Sequence, residues 1–108
     1  MSWLERVSDL FRREAKGALR VRVVLKGRMG ARWYDVDQRL SLPAGATLAT
    51  LIERADQRGF GLSQAIEHSP HLRHTLMWNG ERAPVDENLS RPVHDGDQVY
   101  LLGPLAGG

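Results

Sequence analysis

Two periodicities divide this chain. In residues 2–16, Trp3, Val7 and Leu10 recur at helical spacing with Leu4 and Phe11 beside them, while Arg6, Arg12, Arg13 and Lys16 lie mostly on the other side. Ser2 and Glu5 match a capping box, and Gly17 is a suitable stop. An amphipathic helix is therefore predicted over residues 1–19. From Val21 the period becomes two: Val21, Val23 and Leu25 alternate with Arg22, Val24 and Lys26. After the turn residues Gly27 to Gly30, Tyr34, Val36, Leu40 and Leu42 point one way, and Trp33, Asp35, Asp37, Arg39 and Ser41 the other. Gln38 breaks the apolar set. These two runs predict a β-hairpin.

Pro43-Ala44-Gly45 ends the hairpin, and Thr47 is a good N-cap for a helix carrying Leu48, Leu51, Ile52 and Ala55 on one face and ending near Gly59. Leu62, Ala65 and Ile66 suit one more short helical stretch, stopped by Pro70. Thr75 to Trp78 reads as a short strand, Asn79-Gly80 as a tight turn, and Ala83 to Val85 as the returning strand. Residues 86–92 form a loop or a single helical turn. Asp95-Gly96-Asp97 turns the chain into a last strand, Gln98 to Leu102, with Val99 and Leu101 on one face and Tyr100 and Leu102 on the other. Hairpin, helix, short strands and final strand together predict an α+β sheet covered on one face.

Composition narrows the function. One hundred and eight residues, 42% of them hydrophobic, suffice for one modest core. No apolar run is long enough for a transmembrane helix, and no secretory signal is visible, so a cytoplasmic protein is expected. Cysteine is absent, which excludes disulfides, thiolate metal sites and a thiol nucleophile. The net charge of +2 is accounted for by residues 1–20, so nucleic-acid binding is not expected. Only two lysines, Lys16 and Lys26, stand among fifteen bases, a bias explained by a GC-rich genome or by avoidance of self-modification.

No nucleophile–base set and no glycine-rich phosphate loop is present, so no intrinsic enzymatic activity is expected. His68, His71 and His74 stand three apart, but Pro70 interrupts any shared helix face, so they read as solvated loop residues rather than metal ligands. Asp95 and Asp97 read as turn formers, and Asp35 and Asp37 as solvated surface. The outward-facing Val24, Met77, Tyr100 and Leu102, with Trp33, are expected to cluster as an apolar partner surface. The N-terminal helix has three destinations, in order of preference: its own sheet, a partner or second copy, and last an anionic membrane.

The element order, Pro43-Ala44-Gly45-Ala46-Thr47-Leu48 before the helix, Asn79-Gly80, His94-Asp95-Gly96-Asp97-Gln98-Val99 before the last strand, and Gly107-Gly108 at the end together resemble the MoaD/ThiS family, bacterial ubiquitin-like sulfur carriers, over residues 20–108. Consecutive prolines common in family tails are replaced here by Gly103-Pro104, and residues 1–20 have no counterpart in the minimal family domain. The resemblance implies a ubiquitin-like β-grasp over residues 20–102 and an extended tail over 103–108. It also implies that a ubiquitin-activating-type enzyme uses ATP to adenylate the carboxylate of Gly108, with no cofactor bound to the carrier. Conversion to a thiocarboxylate would then serve a sulfur-acceptor synthase subunit. Alternatively, a conjugating enzyme would join Gly108 to target proteins, or the domain is a non-covalent binding module. Gly107 and Gly108 have no side chain to obstruct a narrow channel, and Pro104 stiffens the tail. Leu101, Leu102 and Leu105 are expected to anchor it by apolar burial.

Overall fold

The computed structural model describes residues 18–104. The helix expected over residues 1–19, with Trp3, Val7, Leu10 and Phe11, lies almost wholly outside them, as do Leu105, Gly107 and Gly108.

The hairpin forms as its period-two pattern requires. Strand β1 (Leu19–Met29) pairs antiparallel with β2 (Arg32–Leu42) over their whole length. Val21, Val23, Leu25 and Met29 of β1 and Tyr34, Leu40 and Leu42 of β2 are buried on one face. Helix α1 (Leu48–Gln57) crosses that face with Leu48, Leu51 and Ala55 buried. Thr47 caps it reciprocally with Thr50. Two further amides at its N-terminus are satisfied by a later segment of the same chain: Leu48 N–H donates to the Arg91 carbonyl (3.1 Å) and Ala49 N–H to that of Leu89 (3.0 Å).

Helix α2 (Leu62–His68) follows and buries Leu62, Ala65 and Ile66. Asp56, near the end of α1, accepts from the Ser63 amide and hydroxyl in the first turn of α2. The one-turn helix α3 (Leu72–Thr75) leads into β3 (Met77–Trp78), which turns back as β4 (Glu81–Arg82). Asn79 and Gly80 both have positive φ, 52° and 82°, the geometry of a two-residue hairpin turn. A second one-turn helix, α4 (Val85–Asn88), precedes the last strand, β5 (Gln98–Leu102).

The sheet order is β2-β1-β5-β3-β4, with β5 parallel to β1 and antiparallel to β3. A parallel neighbour requires a crossover, and the α1–α4 segment supplies it. The core lies between the sheet and these helices, with Trp78, Leu25, Leu51, Leu62 and Leu101 among its fully buried side chains.

Three local expectations are corrected. The strand predicted from Thr75 begins only at Met77, because Leu72 and Leu76 are both buried and a helical turn ending at Thr75 places them there. The returning strand is Glu81–Arg82 rather than Ala83 to Val85, because a two-residue turn sets the register at once; Ala83 and Val85 instead drop into the core. His68 and His74 sit on short helices rather than loops, although all three histidines are exposed. Among the described residues no group of three or more His, Asp or Glu is placed to hold a metal ion.

Candidate functional site: the tail root and the open face of the sheet

The final strand is fixed at its start by Asp97. This buried carboxylate accepts from Trp78 Nε1 (3.1 Å), Asn79 Nδ2 (2.9 Å) and the His94 amide (2.8 Å). Burial alone would raise its pKa, but these donors, with His94 nearby, together outweigh it and hold the carboxyl below its ordinary value. Asp95 Oδ1 accepts from the Arg20 amide (2.8 Å), and Gly96 N–H donates to the Arg20 carbonyl (2.8 Å). The acidic turn expected from sequence is thus also a hydrogen-bond hub joining β1, β3 and β5. The sequence holds the parts separately, an Asp-Gly-Asp turn and a Trp followed by Asn-Gly, and their meeting depends on the pairing of β3 with β5.

Beyond Leu102 the chain keeps its pairing with β1. Gly103 N–H donates to the Lys26 carbonyl (2.8 Å), and Arg28 N–H donates to the Pro104 carbonyl (2.9 Å). The root of the tail is therefore a continuation of β5 along β1. Pro104 is exposed there.

Leu101, expected to anchor the tail by apolar burial, is fully buried in the protein's own core, because its face of β5 is the one covered by the helices. It is unavailable to a partner. Leu102, on the other face, is 48% exposed.

The face of the sheet away from the helices is ordered in cross-strand rows. One runs Asp37–Val24–Tyr100–Met77 across β2, β1, β5 and β3. The next contains Asp35, Lys26 and Leu102, and the one beyond it Trp33 and Arg28. The structure thus places Val24, Tyr100 and Met77 side by side, as the expected partner surface requires. Two members depart from it. Val24 is only 4% exposed, since a short side chain flanked in its row by Asp37 and Tyr100 offers little surface. Trp33, 55% exposed, stands at the far end of β2, cut off from Tyr100 by the Lys26–Asp35 pair (3.7 Å). The expected single patch is therefore Tyr100, Met77 and Leu102 in one place and Trp33 in another.

Asp37 is more than a solvated surface group. Arg22 Nε donates to its Oδ1 (2.8 Å) and a terminal nitrogen to its Oδ2 (2.7 Å), while the other terminal nitrogen reaches Tyr100 Oη (2.7 Å). The Arg22 hydrogen bonds hold the Asp37 carboxyl below its ordinary value. They also lock the Tyr100 ring in place on the open face.

The family model for the ThiS family matches residues 31–108. The chain belongs to the ThiS family. It is 33% identical over 72 residues to the sulfur carrier protein ThiS of Escherichia coli (strain K12), a match covering 67% of this chain and 91% of that protein. The solution structure of the Haloferax volcanii HVO 2177 protein superposes with a TM-score of 0.52 at 16% identity, covering 85% of this chain and 89% of that one. At that identity the likeness is one of fold, and the mixed sheet packed on α1 is the ubiquitin-like β-grasp of the ThiS family. No helix among the described residues is long and apolar enough to cross a membrane.

Proposed function

We propose that this protein is a sulfur carrier whose working group is the carboxylate of Gly108. The reading is supported first by the family match, which runs through residue 108, and by the 33% identity to a sulfur carrier. The geometry agrees with it: the chain leaves the sheet as an extended continuation of β5 at the edge of the open face. The carrier performs no catalysis itself. An adenylating enzyme supplies ATP, and attack of a carboxylate oxygen of Gly108 on the α-phosphorus expels pyrophosphate and gives an acyl-adenylate. Attack of sulfide on the acyl carbon then expels AMP and leaves a thiocarboxylate, which passes its sulfur to a biosynthetic acceptor. Gly107 and Gly108 leave the carboxylate unobstructed, and Leu105 supplies apolar surface to the enzyme's channel. The half-exposed Tyr100, Met77 and Leu102 are the contact surface for that enzyme, beside the tail root.

Intact mass spectrometry tests the proposal. After incubation with ATP, the cognate adenylating enzyme and sulfide, the chain gains the mass difference between sulfur and oxygen, and a chain lacking Gly108 does not. Adenylation followed by attachment to protein amines, with no sulfur gained, would make it a modifier instead. An unreacted tail would leave a non-covalent binding module.

A further inference from the structure

Where β1 passes the root of the tail, two glycines meet face to face. A methyl group at Gly27 would lie 2.5 Å from the Gly103 carbonyl oxygen, and one at Gly103 would lie 2.5 Å from the Arg28 carbonyl oxygen. Real side chains do not tolerate such approaches. Gly27 also has φ +107°, which only glycine adopts freely. The two hydrogen bonds of this segment, Gly103 N–H to Lys26 and Arg28 N–H to Pro104, bracket the contact. Other glycines with positive φ, such as Gly45, Gly59 and Gly80, have open space where a methyl group would stand. Turn geometry alone accounts for those, but not for the Gly27–Gly103 pair.

We infer that Gly27 and Gly103 form a backbone clamp that fixes where and in which direction the tail leaves the sheet. Gly27, seventy-six positions before Gly103 in sequence, is a positioning residue for the reaction at Gly108; this role rests on the function proposed above. The clamp carries the β1 register through Pro104. Residues 105–108 then span the distance to the reacting phosphate, at most about 14 Å at full extension. With so short a reach, the direction at Pro104 decides where the carboxylate arrives. A misplacement of about 1 Å at a reacting group costs on the order of a hundredfold in rate. A bulkier residue at either position must push Gly103 away from β1 and swing the tail, while Tyr100 and Met77 lie in a row of the sheet further from the contact.

The test has two arms. In the wild-type protein, amide hydrogen exchange at Arg28 and Gly103 is expected to be as slow as within β5. Exchange there as fast as in the Gly45 loop would overturn the clamp, whatever the protein's function. In the second arm, ATP–pyrophosphate exchange with the cognate adenylating enzyme compares wild type, Gly27→Ala, Gly103→Ala and Gly45→Ala. Both clamp variants are expected to lose about ten- to a hundredfold in kcat while KM for the carrier stays within about threefold. Gly45→Ala carries the same kind of backbone strain with no steric contact and keeps the wild-type kcat. A folded Gly103→Ala with wild-type kcat overturns the inference. A wild-type protein that is not adenylated refutes the proposed function instead, and leaves the exchange measurement to decide the clamp. If both clamp variants unfold, that measurement decides it as well.

Discussion

The two ends of β5 are held by opposite means. At its start, Asp97 gathers three donors from β3, the Asn79 turn and His94, and Asp95 holds the first residues of β1. At its finish no comparable side-chain network stands among the described residues: two backbone hydrogen bonds and two missing side chains keep the tail root against β1. The first arrangement demands particular functional groups and fixes one geometry. The second demands only that nothing stand in the way. For the carrier proposed above, which would present its tail to another protein, this difference is useful. The anchored end sets the register, and the other end lets an unobstructed backbone run past the last row of the sheet.

The contrast is sharpest in a substitution at the hub. Asp97→Ala strands the buried Trp78 indole N–H and removes the acceptor of the part-buried His94 amide, and is expected to cost about 2–3 kcal/mol in chemical denaturation. A loss well under 1 kcal/mol would mean that water replaces the carboxylate and that the start of β5 is no firmer than its finish. At the tail end, strain alone is isolated by Gly45→Ala, expected to cost roughly 1–2 kcal/mol, so Gly27→Ala must exceed it if the clamp contact is real. Equal melting temperatures for these two would remove the distinction between a turn glycine and a clamp glycine.

Acid separates the ends further. The folded Asp97 carboxyl titrates below its ordinary value of 3.8, so its stabilisation is present above that value and is lost as pH falls through the lower folded pKa. The stability difference between wild type and Asp97→Asn is therefore expected to shrink as pH drops from neutrality to below 3.8, in denaturation curves taken across that range. Smaller still is the effect of Asp37→Asn. That ion pair is exposed, so the midpoint of denaturation should scarcely move, while the Arg22 guanidinium, held less firmly by the neutral amide, steadies the Tyr100 ring less and the ring becomes more mobile by NMR relaxation. Smallest is Tyr34→Phe. The buried Tyr34 hydroxyl has no hydrogen-bond partner among the described residues, so its removal should change stability by no more than about 0.5 kcal/mol, or raise it slightly.

Much of the fold was legible because its signals are local. The alternation in β1 and β2, the Thr47 cap, the Leu48–Leu51–Ala55 face and the Asn79-Gly80 turn each act within a few residues. The errors fell where a few residues had to choose between a turn of helix and a strand, as at Thr75 and Ala83. There burial of Leu76, Ala83 and Val85 in the common core decided the matter. The partner surface was half legible for a related reason. Alternation gives the face on which Val24, Trp33, Met77 and Tyr100 lie, but only the strand order gives their neighbours.

The sequence by itself determined the long hairpin, the first helix after it, the last strand, the covered face of the sheet and the resemblance to the sulfur carriers, because hydrophobic periodicity and turn chemistry are properties of short segments. Tertiary structure alone decided that Leu101 is core, that Val24 is largely hidden and Trp33 isolated, and that Asp97 is a hub. It alone brought Gly27 against Gly103. The reason is that these depend on placing β5 parallel to β1 through a long crossover, and contacts between segments so far apart in sequence leave no periodic mark on either.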